Sequence, residues 1–346
     1  MRCACVTVKA MISLAMIACP ATTSSAQKVE AFYRNLQVTL ISASGAGGGY
    51  DTYSRLLAQF LSRHIPGGPH IVVQNRPGAD GLTAMNYMAN IAPKDGSVIS
   101  DAYSTMPFYL LVDGRNANFN PLTLNWLGSL TKNYSVCIAW HNSAFKTLDD
   151  VMERTMRVSG TGALGWRSIL PRLYNIVAGS KFETITGYST PNDYLAIERG
   201  EVDGSCTTYT TLLATRPEWI NQKKIIFLAQ FGSEVPPGLE GVPMGLDRIK
   251  TKEDRTAMEL ILSQQQTGGP YVAPPGVPAD RVQALQAAFA ATIRDPDLLA
   301  AARKMHLPLI EPMDGVQIQA LIQHAYQTRA DVVDRARMLL QMSVKR

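Results

Sequence analysis

Short apolar runs that end in glycine-bearing loops, each followed by apolar residues at helical spacing, recur along this chain. Such alternation of strand and helix periods points to the α/β class with a mostly parallel sheet. The run 36–41 closes in a loop holding Gly45, Gly47, Gly48 and Gly49, after which Tyr53, Leu56, Leu57, Phe60 and Leu61 recur with helical period. Pro66, Gly67, Gly68 and Pro69 stop that helix, 71–73 reads as a second strand, and Asp80 is placed to cap a helix running to about residue 91. A third strand at 98–99 leads to Ser104 and Thr105. The same grammar restarts near Tyr134, with strands expected around 136–140, 157–160, 182–186, 201–206 and 225–229 and helices near Thr147, Ser168 and Asn192. In the last third, Pro278, Asp295-Pro296 and Met313-Asp314-Gly315 each announce a helix, the last a long segment from Gln317 to about Leu340. The expected architecture is two α/β lobes, one of residues 27–134 plus 229–346, the other of 135–228.

The 346 residues are 46% hydrophobic and 18% charged, which suits a globular protein and excludes disordered, collagen-like or disulfide-dense scaffolds. The formal charge of +5 is small, so a nucleic-acid partner is not expected. Residues 1–26 read as a secretory signal. Arg2 and Lys9 accompany the short apolar run 10–19, and Ser24, Ser25 and Ala26 offer small residues for cleavage after Ala26. That run falls short of the roughly 20 residues needed to span a bilayer. A lipoprotein-type cleavage before Cys19 is the rival, weakened by Met16 and Pro20. Loss of Cys3, Cys5 and Cys19 leaves Cys137 and Cys206. In an oxidising compartment these two could pair, yet nothing in the sequence brings them together, and two separate buried thiols is the favoured reading.

A glycine loop before a helix exposes main-chain N–H groups where the helix dipole favours an anion. Gly47, Gly48 and Gly49 would also let a ligand approach with no Cβ in the way, although a flexible surface turn has the same composition. A second loop carries Thr161, Gly162 and Gly165, followed by Trp166, Arg167 and Ser168. Arg167 could face an anion through its fork of donors or lie solvated. Asp51 and Arg55, four apart, could pair, with Asp51 capping the helix and shaping the loop, or pointing into a cleft. The spacing excludes common nucleotide motifs: GxGxxG would need glycine at Tyr50, and no GxxxxGK[ST] occurs. No serine sits in a GxSxG elbow. His64, His70, His141, His306 and His324 form no HExxH, and Asp and Glu recur in no ligand pattern, so neither metal nor cofactor is expected.

Several motifs agree in order and spacing. Gly48-Gly49-Tyr50-Asp51-Thr52-Tyr53-Ser54-Arg55 is followed by Val72-Val73-Gln74-Asn75-Arg76-Pro77-Gly78-Ala79-Asp80-Gly81, and then by Pro93-Lys94-Asp95-Gly96. Downstream come Gly187-Tyr188, the stretch 195–204 and Ala273-Pro274-Pro275-Gly276-Val277-Pro278. Together they resemble the extracytoplasmic solute receptors of tripartite tricarboxylate transporters, the Bug-type receptors. The resemblance implies a two-lobed, type II-like periplasmic binding protein that closes by a hinge around a small organic carboxylate. It also implies a periplasmic location, no enzymatic activity, and delivery to two integral membrane transporter subunits; a monomer is expected. The implied ligand residues are Gly47, Gly48, Gly49, Asp51, Ser104 and Thr105 in one lobe. In the other they are Thr161, Gly162, Gly165, Trp166, Arg167, Ser168, Tyr188, Cys206 and Thr207. The chain departs from the family's pattern at 162–168, where a Gly-Ser pair and often a histidine are usual, and after Tyr188, where Ser189-Thr190 replaces a glycine. The substrate therefore does not carry over from a relative, although Trp166 and Tyr188 could wall a pocket for a larger or aromatic acid. Two other readings are a periplasmic sensor that binds the same ligand for a signalling system and a secreted hydrolase using Ser44 or Ser168.

Overall fold

The computed structural model describes residues 25–344 except 161, 163, 164 and 189. Most of the expected signal segment, residues 1–24, lies outside them, as does Thr161. No described helix is long and apolar enough to cross a membrane.

Eleven strands are β1 (Gln37–Ser42), β2 (His70–Asn75), β3 (Val98–Asp101), β4 (Asn125–Ser129), β5 (Ser135–Trp140), β6 (Met156–Ser159), β7 (Phe182–Ile185), β8 (Gly204–Thr208), β9 (Ile225–Phe231), β10 (Pro270–Ala273) and β11 (Met313–Asp314). The α-helices of the first half are α1 (Ser25–Tyr33), α2 (Gly49–Leu61), α3 (Leu82–Asn90), α4 (Tyr109–Val112), α5 (Leu148–Glu153) and α6 (Trp166–Val177). Then follow α7 (Thr190–Glu198), α8 (Tyr209–Thr215), α9 (Pro217–Asn221), α10 (Lys252–Ser263), α11 (Ala279–Thr292), α12 (Pro296–Lys304), α13 (Gly315–Tyr326) and α14 (Ala330–Val344).

The strands form two sheets, ordered β11-β4-β10-β3-β1-β2 and β7-β6-β8-β5-β9. Both are mixed rather than mostly parallel. In the first, β2, β1 and β3 are parallel, while β10 runs against β3 and β4. In the second, β7, β6 and β8 are parallel, and β5 runs against β8 and β9. Strands β5 and β10, which run against their neighbours, are where the chain enters a sheet from the other lobe, so no helical crossover imposes parallel pairing there.

Apolar layers cover both faces of each sheet. Val38 and Leu40 of β1 join Leu56, Leu57, Tyr271 and Phe289 on one side, while Ile41 joins Met85, Trp126 and Ile318 on the other. Burial on both sides explains why β1 reads as an almost unbroken apolar run. The second sheet packs Leu170, Leu173 and Tyr174 of α6 on one face and Tyr194, Ile197 and Trp219 on the other. Trp126 and Trp219 are fully buried, and truncating either to alanine costs about 3–5 kcal/mol.

The chain boundaries differ from those expected. Strand β9 runs on to Phe231, and Met258 and Leu262 of α10 and Ala336 and Leu339 of α14 belong to the second lobe's core. The second lobe therefore takes in 135–263 and α14, because α14 packs against both α6 and α10 and the three share one apolar core. Among the described residues the chain passes between the sheets near 130–134 and 264–269, and again at 327–329, where the expected single C-terminal helix breaks into α13 and α14. The expected cap at Asp295 holds, its carboxylate accepting the Asp297 amide, and the helix expected near Thr147 opens with a capping box between Thr147 and Asp150. Asp80 is not a cap. Residues 79–81 form a 3-10 turn, and α3 starts from Gly81 at φ 92°, a conformation that favours glycine.

Candidate ligand site

The first glycine loop is shaped by hydrogen bonds to its own backbone. Gly48 is the N-cap of α2, which places Asp51 at the third helical position and makes it a loop clamp instead of the cap. The Asp51 carboxylate accepts from the Gly47 amide at 2.8 Å, Arg55 Nε at 2.9 Å and Asn75 Nδ2 at 2.7 Å. Asn75 also donates to the Ser44 carbonyl at 2.9 Å, and Ser44 Oγ accepts the Asp51 amide at 3.0 Å. These contacts explain why the GGxxDxxxR run and the Asn75-Arg76-Pro77-Gly78 turn occur together: one end of β2 buttresses the loop after β1. Burial opposes ionisation of Asp51, but hydrogen bonds from Arg55, Gly47 and Asn75 outweigh it and hold the carboxyl below its usual range.

The three glycines play different parts. Gly47 sits at φ 77°, and a Cβ on Gly48 would press on the Gly45 carbonyl and Ser44 Oγ at 3.1 Å. A Cβ on Gly49 would meet nothing within 4 Å, so the loop is open there. Of the first amides of α2, that of Gly48 donates to the Gly45 carbonyl and that of Asp51 to Ser44 Oγ. Those of Gly49 and Tyr50 make no hydrogen bond among the described residues and are the donors available to a ligand.

The second loop repeats this arrangement. Gly165 is the N-cap of α6; its amide donates to the Gly162 carbonyl and the Ser168 amide donates back to the Gly165 carbonyl. The Trp166 and Arg167 amides make no hydrogen bond among the described residues. Ser168 Oγ is buried and has no partner there either. Arg167 is neither solvated nor free for an anion. Its guanidinium pairs with Asp193 of α7 and donates to the Tyr194 hydroxyl at 3.3 Å, with 11% of the side chain exposed. What Arg167 can offer a ligand is its amide.

A hydrogen-bonded path connects the two loops. The Ser104 amide donates to the Tyr50 hydroxyl at 3.2 Å, and Thr267 Oγ1 donates to the Ser104 carbonyl at 3.3 Å. Two residues away in the same turn, Gln265 Oε1 accepts the Ser135 amide at 2.8 Å, and Ser135 Oγ accepts the Trp166 indole N–H at 2.7 Å. The path runs through the 264–269 crossing and links Tyr50 and Ser104 on one side to Ser135 and Trp166 on the other. The bond to Ser135 holds the Trp166 ring against β5. Thr105 follows Ser104 and is half-buried, while Tyr188 is held beside the loop by its amide bond to the Gly160 carbonyl at 3.3 Å.

Cys206 does not belong to the ligand set. It is fully buried and disulfide-bonded to Cys137, its direct opposite across β5 and β8, which corrects the reading of two separate thiols. Pairing across 69 residues depends on strand register, which local sequence does not display. Thr207, 2% exposed, lies in the sheet beside it. The residues that sequence reasoning missed are Asn75, Asp101, Asp193, Gln265 and Thr267, all polar partners brought in by distant segments. The N-x-P-G motif was the only sequence signal for one of them, Asn75.

No family model matches the chain. The UPF0065 protein in gbd 5'region of Cupriavidus necator is 25% identical over 264 residues, 73% of each chain. A TctC solute binding protein from Polaromonas superposes with a TM-score of 0.64 at 17% identity, covering 89% of this chain and 99% of that one. MatC from Rhodopseudomonas palustris, solved with bound malate, gives 0.63 at 19% identity over 88% and 98%. The chain has the two-lobed α/β fold of these solute-binding proteins, the same group that its sequence motifs resemble.

Proposed function

We propose that this chain is a periplasmic receptor of the tripartite tricarboxylate type, which captures a small organic carboxylate between its lobes and delivers it to membrane transporter subunits. The observation that carries the reading is the pair of glycine-bearing helix starts, one in each lobe, each with two first-turn amides that bond no other described residue. Two such termini on a connected path suit an anion held at both ends. Each helix terminus contributes about 0.3–1 kcal/mol when exposed and up to about 2 when partly buried. Malate bound to a protein of the same fold supports the ligand class. Ligand binding favours the closed arrangement of the lobes, which the membrane partners recognise. The hydrolase reading loses support: Ser44 Oγ is occupied by the Asp51 amide, and neither Ser44 nor Ser168 bonds a histidine among the described residues.

Titration calorimetry with malate, citrate, benzoate and glutamate tests the proposal. At least one acid is expected to bind with a defined stoichiometry of one, and no heat or thermal shift with any organic acid overturns it. Co-purification with the transporter's membrane subunits separates a transport receptor from a sensor.

A further inference from the structure

Asp101, at the end of β3, is 1% exposed and lies directly beneath the first glycine loop. One carboxylate oxygen accepts the Ala43 amide at 2.7 Å, where the chain leaves β1 for the loop. The other accepts Ser54 Oγ at 2.7 Å, on the second turn of α2 where the chain has left the loop. Ser54 Oγ is in turn 3.3 Å from the Tyr271 hydroxyl of β10. A single side chain therefore ties the strand that enters the loop to the helix that leaves it. Asp51 and Asn75 fasten the middle of the loop from the β2 side.

The surroundings of Asp101 oppose its ionisation. Asp101 has no cationic partner among the described residues, whereas Arg55 is bonded to Asp51. Burial pushes Asp101 above the usual carboxylate range, against hydrogen bonds from Ala43, Ser54 and Ser42, and the Asp51 charge adds to the rise.

We infer that Asp101 is the positioning residue of the glycine loop, fixing where the Gly49 and Tyr50 amides point and so how tightly an organic acid is held. The inference rests on the proposed carboxylate site. Asp101→Asn keeps an acceptor for Ala43 and offers an amide to Ser54, whereas Asp101→Ala removes both ties. Hydrogen–deuterium exchange reads the loop without any ligand. Residues 43–51 of Asp101→Ala are expected to exchange about tenfold faster than in the parent, the size of one or two lost hydrogen bonds, while Asp101→Asn stays within about threefold and β5–β9 are unchanged in both. Malate calorimetry is expected to follow the same order, with about tenfold weaker binding in Asp101→Ala only.

Unchanged exchange at 43–51 in Asp101→Ala, acceleration spread evenly over the whole first sheet, or Asp101→Asn as damaging as Asp101→Ala each overturns the inference. Should Asp101→Ala fail to fold, Ser54→Ala cuts one tie alone. It is then expected to speed exchange at 49–51 more than at 43–45, and equal effects refute the positioning role. A parent protein that binds no acid sinks the proposed function, while the exchange data still decide the role of Asp101.

Discussion

Reducing the Cys137–Cys206 bridge is expected to destabilise the second lobe by about 3–4 kcal/mol. The bridge closes 69 residues that contain β6, α6, β7 and α7, including the second glycine loop and the Arg167–Asp193 pair. For a loop of that length, chain entropy alone gives about 4.4 kcal/mol at 25 °C. The working value lies below this, since an unfolded chain that retains structure has less entropy to lose. Urea unfolding with and without dithiothreitol, followed by tryptophan fluorescence, reads the effect where it occurs. Trp140, Trp166 and Trp219 belong to the second lobe and Trp126 to the first. With a slope of about 2 kcal/mol per molar urea, the second-lobe transition should move down by about 1.5–2 M. The double variant Cys137→Ala/Cys206→Ala should match the reduced protein. A shift under about 0.5 M in fully reduced protein, or an equal shift of both lobes, refutes the assignment of this bridge as a local staple.

Three further outcomes are expected. Asp51→Ala and Asn75→Ala, measured singly and together, should show a coupling of about 1 kcal/mol in urea, because each contributes to the same 2.7 Å bond; strict additivity would show that the loop is held otherwise. Arg167→Met should cost about 3–5 kcal/mol by stranding Asp193, whereas Arg167→Met/Asp193→Leu should recover most of it; a double variant no better than the single would refute the isolated buried pair. The two loop carboxyls should respond oppositely to pH. The lowered Asp51 contributes stability above the ordinary 3.8 that is lost as pH falls through its folded value, so the deficit of Asp51→Asn should shrink in acid. For the raised Asp101 the contribution is complete below 3.8 and lost as pH rises through the folded value, so Asp101→Asn should gain on the parent as pH is raised above 3.8, measured by urea midpoints.

Periodicity and turn chemistry made most elements of the parallel halves legible. The run 36–41 became β1, Thr147 and Asp295 became caps, and the helix expected near Ser168 became α6. Strands β4 and β10 were not legible. Each is four or five residues long and pairs antiparallel with segments far away in sequence, so neither a helix nor a local turn announces it. The C-terminal break escaped notice because the apolar spacing of α13 continues into α14 across Gln327, while the two helices serve different lobes. In the site, glycine loops could be found because Gly47 and Gly48 are required by conformation and space. The fate of Asp51 and Arg167 could not be read, because a charged residue after a glycine loop looks the same in sequence whether it meets a ligand or a neighbour such as Asn75 or Asp193.

Arg55 and Arg167, which follow the two glycine loops in sequence, are both paired with aspartates of the chain itself. On the proposed function, an acid held at these loops would meet oriented dipoles rather than the charges of these two arginines. Ionic strength should weaken such a grip far less than it weakens recognition by free arginines. Release demands no ion pair to be torn apart, and a lineage could change the length or shape of the acid it takes by recutting the 161–168 and 188–190 segments without rebalancing charge anywhere else.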